Sequence, residues 1–163
     1  MDEKLTLIGF KHSVYTRIVR IALIELGMQA VYVEADPFSD DGGLEDITPF
    51  GRVPVLRHGD FTLTETAAIL RYLTAIGGAG HLIPSELQAR ARMDQVLGVV
   101  DAYVYWPLVR QVFSHGFYAP LMNAEFDPYQ VSAGLRAGAP ALRCVERIAT
   151  EGLVLDWRDL TLA

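Results

Sequence analysis

The stretch "GRVPVLRHGDFTLTETAAIL", residues 51–70, predicts two short strands followed by the start of a helix. Apolar residues are concentrated in 53–63, and "HGD" (58–60) predicts the tight turn between the two strands. The apolar residues of 65–76 then recur at helical spacing, and Thr64 is the expected N-cap. This order, strand, strand, helix, is typical of the second half of a small α/β domain.

Upstream of that stretch the sequence predicts a strand, a helix and a second strand. "KLTLIG" (4–9) and "QAVYVEA" (29–35) are typical of strands, and Val14–Leu26 has apolar residues at helical spacing. A strand-helix-strand unit favours parallel pairing with a right-handed crossover. The loop 36–51 should contain one helical turn around 44–47. The first half therefore has the order βαβ–ββα.

The second half is predicted to be entirely helical. "GGAGHLIPSE" (77–86) interrupts the pattern, and Ser85 begins a match to the capping box that opens a helix. That helix should run to about Ser114, with a kink at Pro107, and a second should run from about Tyr129 to Ala149. Three residues should weaken its first part: Gly134, Gly138 and Pro140. We expect an α/β domain over 1–77, a linker over 78–85 and an all-helical domain over 86–163.

Composition excludes several classes of function. The 163 residues are 51% apolar and carry a net charge of −6, which argues against nucleic acid as the main partner. No apolar run is long enough for a membrane span, and the N-terminus lacks the form of a signal peptide. Cys144 is the single cysteine, so neither an internal disulfide nor a structural zinc site is expected, and the usage predicts a cytosolic protein without a metal.

Ser13 lies between the first strand and the first helix. Its hydroxyl could cap that helix, or it could point outward and donate a hydrogen bond to a bound anion such as a thiolate. The surrounding "KHSVYTR" (11–17) has no cysteine, so disulfide exchange by the protein itself is excluded.

Pro54, Glu65 and Thr66 also allow two interpretations each. Pro54 could be an ordinary trans proline at a sheet edge, or a cis proline that turns the Val53 main chain outward toward an extended peptide. Glu65 and Thr66, at the start of a helix, could complement its dipole or could receive the charged groups of an α-amino acid.

Several motifs taken together resemble those of the cytosolic glutathione S-transferase family. "TPFGRVPVL" and "GDFTLTETAAILRYL" are similar to that family's Gly-x-Val-Pro and its Glu/Gln-Ser/Thr helix start. "GFKHSVYTRIVRIALIELG" is similar to the first loop and helix of the family's serine-type branch, and it looks like the sequences of bacterial members. The resemblance extends from about Leu5 to Leu73. It implies a thioredoxin-like N-terminal domain followed by a helical domain, which here would be partial.

The resemblance also implies roles for individual residues. The residues that bind glutathione would be Arg52, Val53, Pro54, Glu65 and Thr66. Val53 would pair with the cysteinyl main chain, Pro54 would be cis, and Glu65 with Thr66 would hold the γ-glutamyl end. Arg52 stands where many members carry glutamine or lysine.

Ser13 would be the catalytic residue, hydrogen-bonded to the glutathione sulfur. A free thiol has a pKa of about 8.5, and lowering it by two units requires about 2.7 kcal/mol. One hydrogen bond to a charged acceptor supplies about 1.5–3 kcal/mol. Tyr15 is interpreted as a core residue, with the sulfur contact as the alternative. An apolar cleft for the electrophile would be lined by Tyr103, Trp106 and Arg110.

The sequence therefore predicts a cytoplasmic glutathione transferase that acts in detoxification. It would act as a homodimer, without a metal, and conjugate glutathione to a small hydrophobic electrophile. The alternatives are a non-catalytic protein-interaction module of the same fold and a glutathione-dependent peroxidase or isomerase. "DLTLA" (159–163) resembles the opening of the family's buried central helix, so the resemblance implies a chain that is short at its C-terminus. We expect a truncated chain or a shortened gene product, with exposed apolar surface on the two long helices.

Overall fold

The computed structural model describes residues 4–39, 43–78, 80–156 and 160–163. The chain divides into two compact units, Met1–Gly80 and His81–Ala163. The division falls within 78–85, the segment that the sequence predicts as a linker. Each unit is described by itself below.

Among the described residues, four strands of the first unit form one mixed sheet with the order β2-β1-β3-β4. The elements of this unit are β1 (Leu5–Gly9), α1 (Val14–Glu25), β2 (Val31–Glu34), β3 (Val55–His58), β4 (Phe61–Leu63) and α2 (Thr66–Ile76). β1 pairs with β2 in parallel, as the strand-helix-strand pattern predicts, whereas the β1–β3 and β3–β4 pairs are antiparallel. The predicted thioredoxin-like βαβ–ββα order is confirmed.

Apolar side chains of the sheet and of both helices form the core of the first unit. Leu7 and Leu56 extend from the sheet, Val19 from α1, and Ile69 and Leu73 from α2, and each is almost completely buried. Burial of one such side chain contributes about 1.5–3 kcal/mol. This packing fixes α1 and α2 against the sheet, and thus fixes the loops that precede them.

Strand register brings four connecting segments to the same end of the sheet. Ile8 at the end of β1 pairs with Val55 at the start of β3, and Leu63 at the end of β4 pairs with Leu56. β2 runs parallel to β1 and also ends there. We call this edge the site end of the sheet. The segments that leave β1, β2 and β4, and the one that enters β3, all lie there.

Two predicted helix caps are wrong by one residue each. α2 begins at Thr66, and its N-cap is Glu65 rather than Thr64. The next long helix has Glu86 as its N-cap rather than Ser85, because the Glu86 carboxylate accepts the hydrogen bond from the Ala89 N–H. In both cases the glutamate after the predicted hydroxyl residue occupies the capping position.

The second unit is mostly helical in its described residues, apart from short connections and the residues after α5. Its elements are α3 (Leu87–Val99), a π-wound segment (Val100–Tyr118), α4 (Ala119–Leu121) and α5 (Pro128–Thr150). The predicted end near Ser114 is wrong, because the helical run continues and the Ala119 N–H bonds to the Ser114 carbonyl five residues back. Pro107 lies inside the π-wound segment. It has no N–H, so regular α-helical bonding cannot pass through it.

Two glycines of α5 lie at a close contact between helices. Gly134 and Gly138 are buried where α5 packs on the π-wound segment. A Cβ on Gly134 would lie 2.8 Å from Val112 Cγ2, and one on Gly138 would lie 2.5 Å from Leu108 Cδ2. The two glycines are therefore the contact points that allow the helices to approach closely.

The last described residues pack without forming a helix. Residues 160–163 are not helical, in keeping with the expectation that the chain lacks the central helix, and Asp159 lies outside the described residues. The Leu162 N–H donates to the Leu82 carbonyl at 3.0 Å, and Leu162 and Ala163 pack on the core of the second unit. That core consists of Ala89, Met93, Val96, Ile148 and Val154.

Large apolar side chains are exposed on the two long helical runs of the second unit, as expected. They include Tyr103, Trp106, Phe117, Tyr129, Leu135 and Leu142. A search of the described residues for a helix both long enough and apolar enough to span a bilayer finds none.

Candidate functional site

The Ser13 hydroxyl both caps a helix and retains a free hydrogen. Ser13 is the N-cap of α1, and its Oγ accepts a hydrogen bond from the Thr16 N–H at 3.3 Å. A serine hydroxyl can accept twice and donate once, and capping uses only an acceptor position. Within the described part of the chain, no acceptor takes the Ser13 hydrogen. The two interpretations of Ser13 are therefore compatible, since a capping oxygen can still donate to a bound anion.

The Val53–Pro54 peptide bond is cis, as the resemblance implies. Pro54 is buried, and β3 begins only at Val55, so Val53 lies outside the strand ladder. The Val53 side chain packs on a small apolar cluster that includes Leu44. Among the described residues, no hydrogen bond to the Val53 main chain is found. Its N–H and C=O are available to an added extended segment.

Glu65 lies at the start of α2 in a conformation that is rare for a residue with a side chain. Its φ is 68°, and its carboxylate makes no capping hydrogen bond. The first N–H groups of a helix have no acceptor within the helix, and here the Ile69 N–H is the first to bond, to the Glu65 carbonyl at 2.9 Å. Thr66 contributes a hydroxyl at the same point. With respect to the described residues, this helix start presents one carboxylate, one hydroxyl and several N–H donors without an acceptor.

The three segments lie in a row across the site end of the sheet. Ser13 follows β1, Val53 precedes β3, and Glu65 follows β4, in the spatial order β1-β3-β4. Neighbouring strands are about 4.8 Å apart, so the row from β1 to β4 spans about 10 Å. Three extended residues also span about 10 Å. The arrangement fits a ligand of tripeptide length.

The structure adds two residues that the sequence analysis did not single out, Tyr32 and Glu34 of β2. The Tyr32 hydroxyl lies 2.5 Å from Glu34 Oε2 and 3.0 Å from the Gly9 carbonyl oxygen. Glu34 Oε1 accepts the Lys11 N–H at 3.1 Å. The alternation of a strand, which places residues 32 and 34 on one face, was the available sequence signal.

The ionisation of this pair follows from its contacts. Burial, and then the hydrogen bond and negative charge of Glu34, raise the pKa of Tyr32 to about 12. Burial acts to raise the pKa of Glu34, but it is outweighed by the hydrogen bonds from Tyr32 and the Lys11 N–H and by nearby positive charge, so that pKa is lowered. At neutral pH the pair is therefore a neutral phenol beside a carboxylate.

The remaining predicted site residues are exposed or half-buried. Arg52 is exposed beside Val53, and Tyr15 is half-buried on α1. Tyr103, Trp106 and Arg110 lie on the π-wound segment of the second unit, where the side chains of Tyr103 and Trp106 are 66% and 64% exposed. In the parts of the chain that the structure describes, no three His, Cys, Asp or Glu side chains are grouped so that they could hold a metal ion.

Comparison with known proteins gives consistent matches. Residues 7–79 match the family described as "Glutathione S-transferase, N-terminal domain". Human glutathione S-transferase theta-1 is 50% identical over 90 residues, which cover 55% of this chain and 38% of that protein. A glutathione S-transferase of Pseudomonas putida is 30% identical over 146 residues, which cover 89% of this chain and 64% of that protein. The chain thus spans between about a third and two thirds of the length of these relatives.

Solved structures match across both units. Human glutathione transferase theta-2, in complex with glutathione, aligns with a TM-score of 0.74 at 28% identity, covering 88% of this chain and 60% of that one. The apo form of human glutathione S-transferase T1-1 aligns with a TM-score of 0.72 at 29% identity, covering 85% of this chain and 60% of that one.

The fold, the candidate site and the similar proteins all indicate the same class of protein. The first unit is a thioredoxin-like domain with the segments of Ser13, Val53 and Glu65 at one end of its sheet, and the second is mostly helical. Residues 7–79 belong to the N-terminal domain family of the glutathione S-transferases, and the chain as a whole is similar to glutathione S-transferases.

Proposed function

We propose that this protein binds glutathione at the site end of the sheet and transfers it to a small hydrophobic electrophile. The observation that carries the proposal is the row formed by Ser13, Val53 and Glu65, whose order suits the cysteinyl and γ-glutamyl parts of an extended glutathione molecule. The glutathione complex of human theta-2, a structural neighbour, supports the choice of ligand.

The γ-glutamyl and cysteinyl parts of glutathione each have a chemically suited partner in this proposal. The Glu65 carboxylate pairs with the ammonium of the γ-glutamyl end, and Thr66 with the unpaired N–H groups of α2 receives its carboxylate. The Val53 main chain pairs with the cysteinyl main chain in the manner of an added strand. Arg52 lies beside this contact, where its charge attracts the anionic peptide. Pro54 ends the strand ladder next to Val53, which leaves that main chain open to the ligand.

The bound thiol loses its proton to solvent, and Ser13 stabilises the resulting thiolate. The Ser13 oxygen is held by the Thr16 N–H, and its own hydrogen is directed to the sulfur. The thiolate then attacks an electrophilic carbon, a carbon–sulfur bond forms, and the leaving group departs with the bonding electron pair. Tyr103, Trp106 and Arg110 are the proposed contacts of the electrophile, supported by the exposed rings of the first two.

A Ser13→Ala variant tests the catalytic role, with Ser13→Thr as the matched control. Alanine removes both the cap and the sulfur hydrogen bond, whereas threonine retains a hydroxyl. We expect conjugation of an aromatic halide to fall about 10- to 100-fold in Ser13→Ala, because a hydrogen bond to a charged group contributes about 1.5–3 kcal/mol. Ser13→Thr should retain most of the activity.

The same experiment separates the alternatives. Retention of the wild-type protein on immobilised glutathione without turnover of any electrophile or peroxide would favour a non-catalytic binding protein. Equal activity of Ser13→Ala and wild type would show that Ser13 is only a helix cap, and would make Tyr15 the next sulfur partner to test. A homodimer in the cytoplasm is the remaining part of the proposal, and sedimentation equilibrium tests the dimer.

A further inference from the structure

The loop that carries Ser13 is short, and several hydrogen bonds of its main chain help to hold it. The Ser13 N–H donates to the Phe10 carbonyl at 2.9 Å, and the Phe10 N–H donates to Thr16 Oγ1 at 3.3 Å. These bonds fix the loop to α1. The Lys11 N–H points the other way, toward β2, where it donates to Glu34 Oε1 at 3.1 Å.

Tyr32 and Glu34 form a bracket on the β2 side of this loop. The two oxygens of the Glu34 carboxylate have separate tasks, since Oε1 accepts from Lys11 and Oε2 lies 2.5 Å from the Tyr32 hydroxyl. That hydroxyl is also 3.0 Å from the Gly9 carbonyl oxygen. The bracket therefore contacts the chain on both sides of residue 10, three residues before Ser13.

At neutral pH the bracket consists of a negatively charged carboxylate and a neutral phenol, which can hydrogen-bond to each other. Glu34 is ionised and Tyr32 is protonated, because the contacts described above lower the pKa of the first and raise that of the second. The Arg20 guanidinium lies over the Tyr32 ring, 5.2 Å from its centroid, and holds the ring from the α1 side. A hydrogen bond from an N–H to a carboxylate is shorter and stronger than one to a neutral acceptor.

We infer that Tyr32 and Glu34 are positioning residues, which hold the β1–α1 loop so that the Ser13 hydroxyl meets the bound sulfur. The inference rests on the proposed function. A displacement of about 1 Å at a reacting group can cost about 100-fold in rate, so a bracket on this loop acts on catalysis without touching the substrate.

Three variants test the bracket: Glu34→Ala, Glu34→Gln and Tyr32→Phe. In Glu34→Ala and Tyr32→Phe we expect the pKa of the bound glutathione thiol, followed by thiolate absorbance against pH, to rise by about 0.5–1 unit. At neutral pH kcat should then fall about 1.5- to 3-fold with little change in KM, because the thiolate fraction falls by that factor when a pKa about two units below that of the free thiol rises by this amount, and the loss should shrink at alkaline pH. Glu34→Gln retains an oxygen for the Lys11 N–H and should recover part of the loss.

Glu25→Ala is the control, because it removes the same charge from an exposed position at the end of α1. It should leave the thiol pKa and kcat unchanged. Folded Glu34→Ala and Tyr32→Phe proteins with the wild-type thiol pKa would overturn the inference, as would a loss confined to KM.

Hydrogen exchange at the Lys11 amide tests the bracket without any activity. We expect faster exchange in Glu34→Ala than in wild type and Glu25→Ala, and unchanged exchange would overturn the inference. Absence of thiolate absorbance in the wild type would instead overturn the proposed function, so the two failures are distinguishable.

Discussion

One helix start from each half invites comparison, because α2 and α3 both begin after a hydroxyl residue followed by glutamate. The pairs are Thr64-Glu65 and Ser85-Glu86. Glu86 has an ordinary φ of −72°, and its carboxylate accepts the Ala89 N–H at 2.9 Å. Glu65 has a φ of 68°, and its carboxylate makes no such bond. One local pattern thus has two outcomes.

The difference lies in what surrounds each glutamate. Glu86 opens a helix after a short irregular connection, and the chain is free to adopt the geometry of a cap. Glu65 must join β4 to α2 within a few residues, while both elements are held by the core of the first unit. A side-chain residue in a sparsely populated φ/ψ region costs about 1–3 kcal/mol. A carboxylate kept out of its own helix at that cost is suited to binding a ligand.

The largest effect expected from this comparison is on glutathione binding. Glu65→Gln removes the charge that pairs with the ligand ammonium but preserves the size of the side chain. We expect the Kd for glutathione, measured by isothermal titration calorimetry, to rise about 10- to 100-fold. Glu86→Gln removes the same charge from the other helix start and should leave the Kd unchanged. Equal effects at both positions would reduce Glu65 to a contributor to overall charge.

The sequence predicts the architecture of the first unit well, because its signals are local and consistent. Apolar alternation, helical spacing and the turn at 58–60 all indicate the same elements, and the βαβ–ββα order with a parallel β1–β2 pair follows from them. The shared location of Ser13, Val53 and Glu65 also follows once the register is known. The bracket of Tyr32 and Glu34 does not, since it depends on which side chains meet across two strands and a loop.

The second unit shows where local signals fail. Gly134 and Gly138 are unfavourable in an isolated helix, and the sequence analysis interpreted them in that way. Their actual role depends on a partner helix, because side chains at residues 108 and 112 occupy the space that a Cβ would need. The caps were misplaced for a related reason. Serine and threonine are more frequent N-caps than glutamate, but at the starts of α2 and α3 the glutamate that follows the hydroxyl residue is the N-cap.

Removal of the two carboxylates should affect stability unequally. Glu86→Ala deletes a working cap and should lower the free energy of unfolding by about 1 kcal/mol. Glu65→Ala deletes a side chain that caps nothing and should change it by less than about 0.5 kcal/mol. The urea denaturation midpoint, at constant m-value, measures both. A large loss in Glu65→Ala would mean that its carboxylate does have a structural partner.

The smallest effect expected is a difference in sign between two glycine substitutions. Glycine adopts a positive φ without strain, whereas a left-handed conformation costs other residues about 1–2 kcal/mol. The greater conformational freedom of glycine in the unfolded chain reduces this gain in stability by about 0.5–1 kcal/mol. Glu65→Gly should therefore stabilise the protein by about 0.5 kcal/mol while glutathione retention is lost. Glu86→Gly should destabilise it by a few tenths of a kcal/mol, about what a glycine cap costs, and leave retention intact. If Glu65→Gly were less stable than wild type, the conformation of Glu65 would not be strained, and the link between strain and ligand binding at this helix start would be lost.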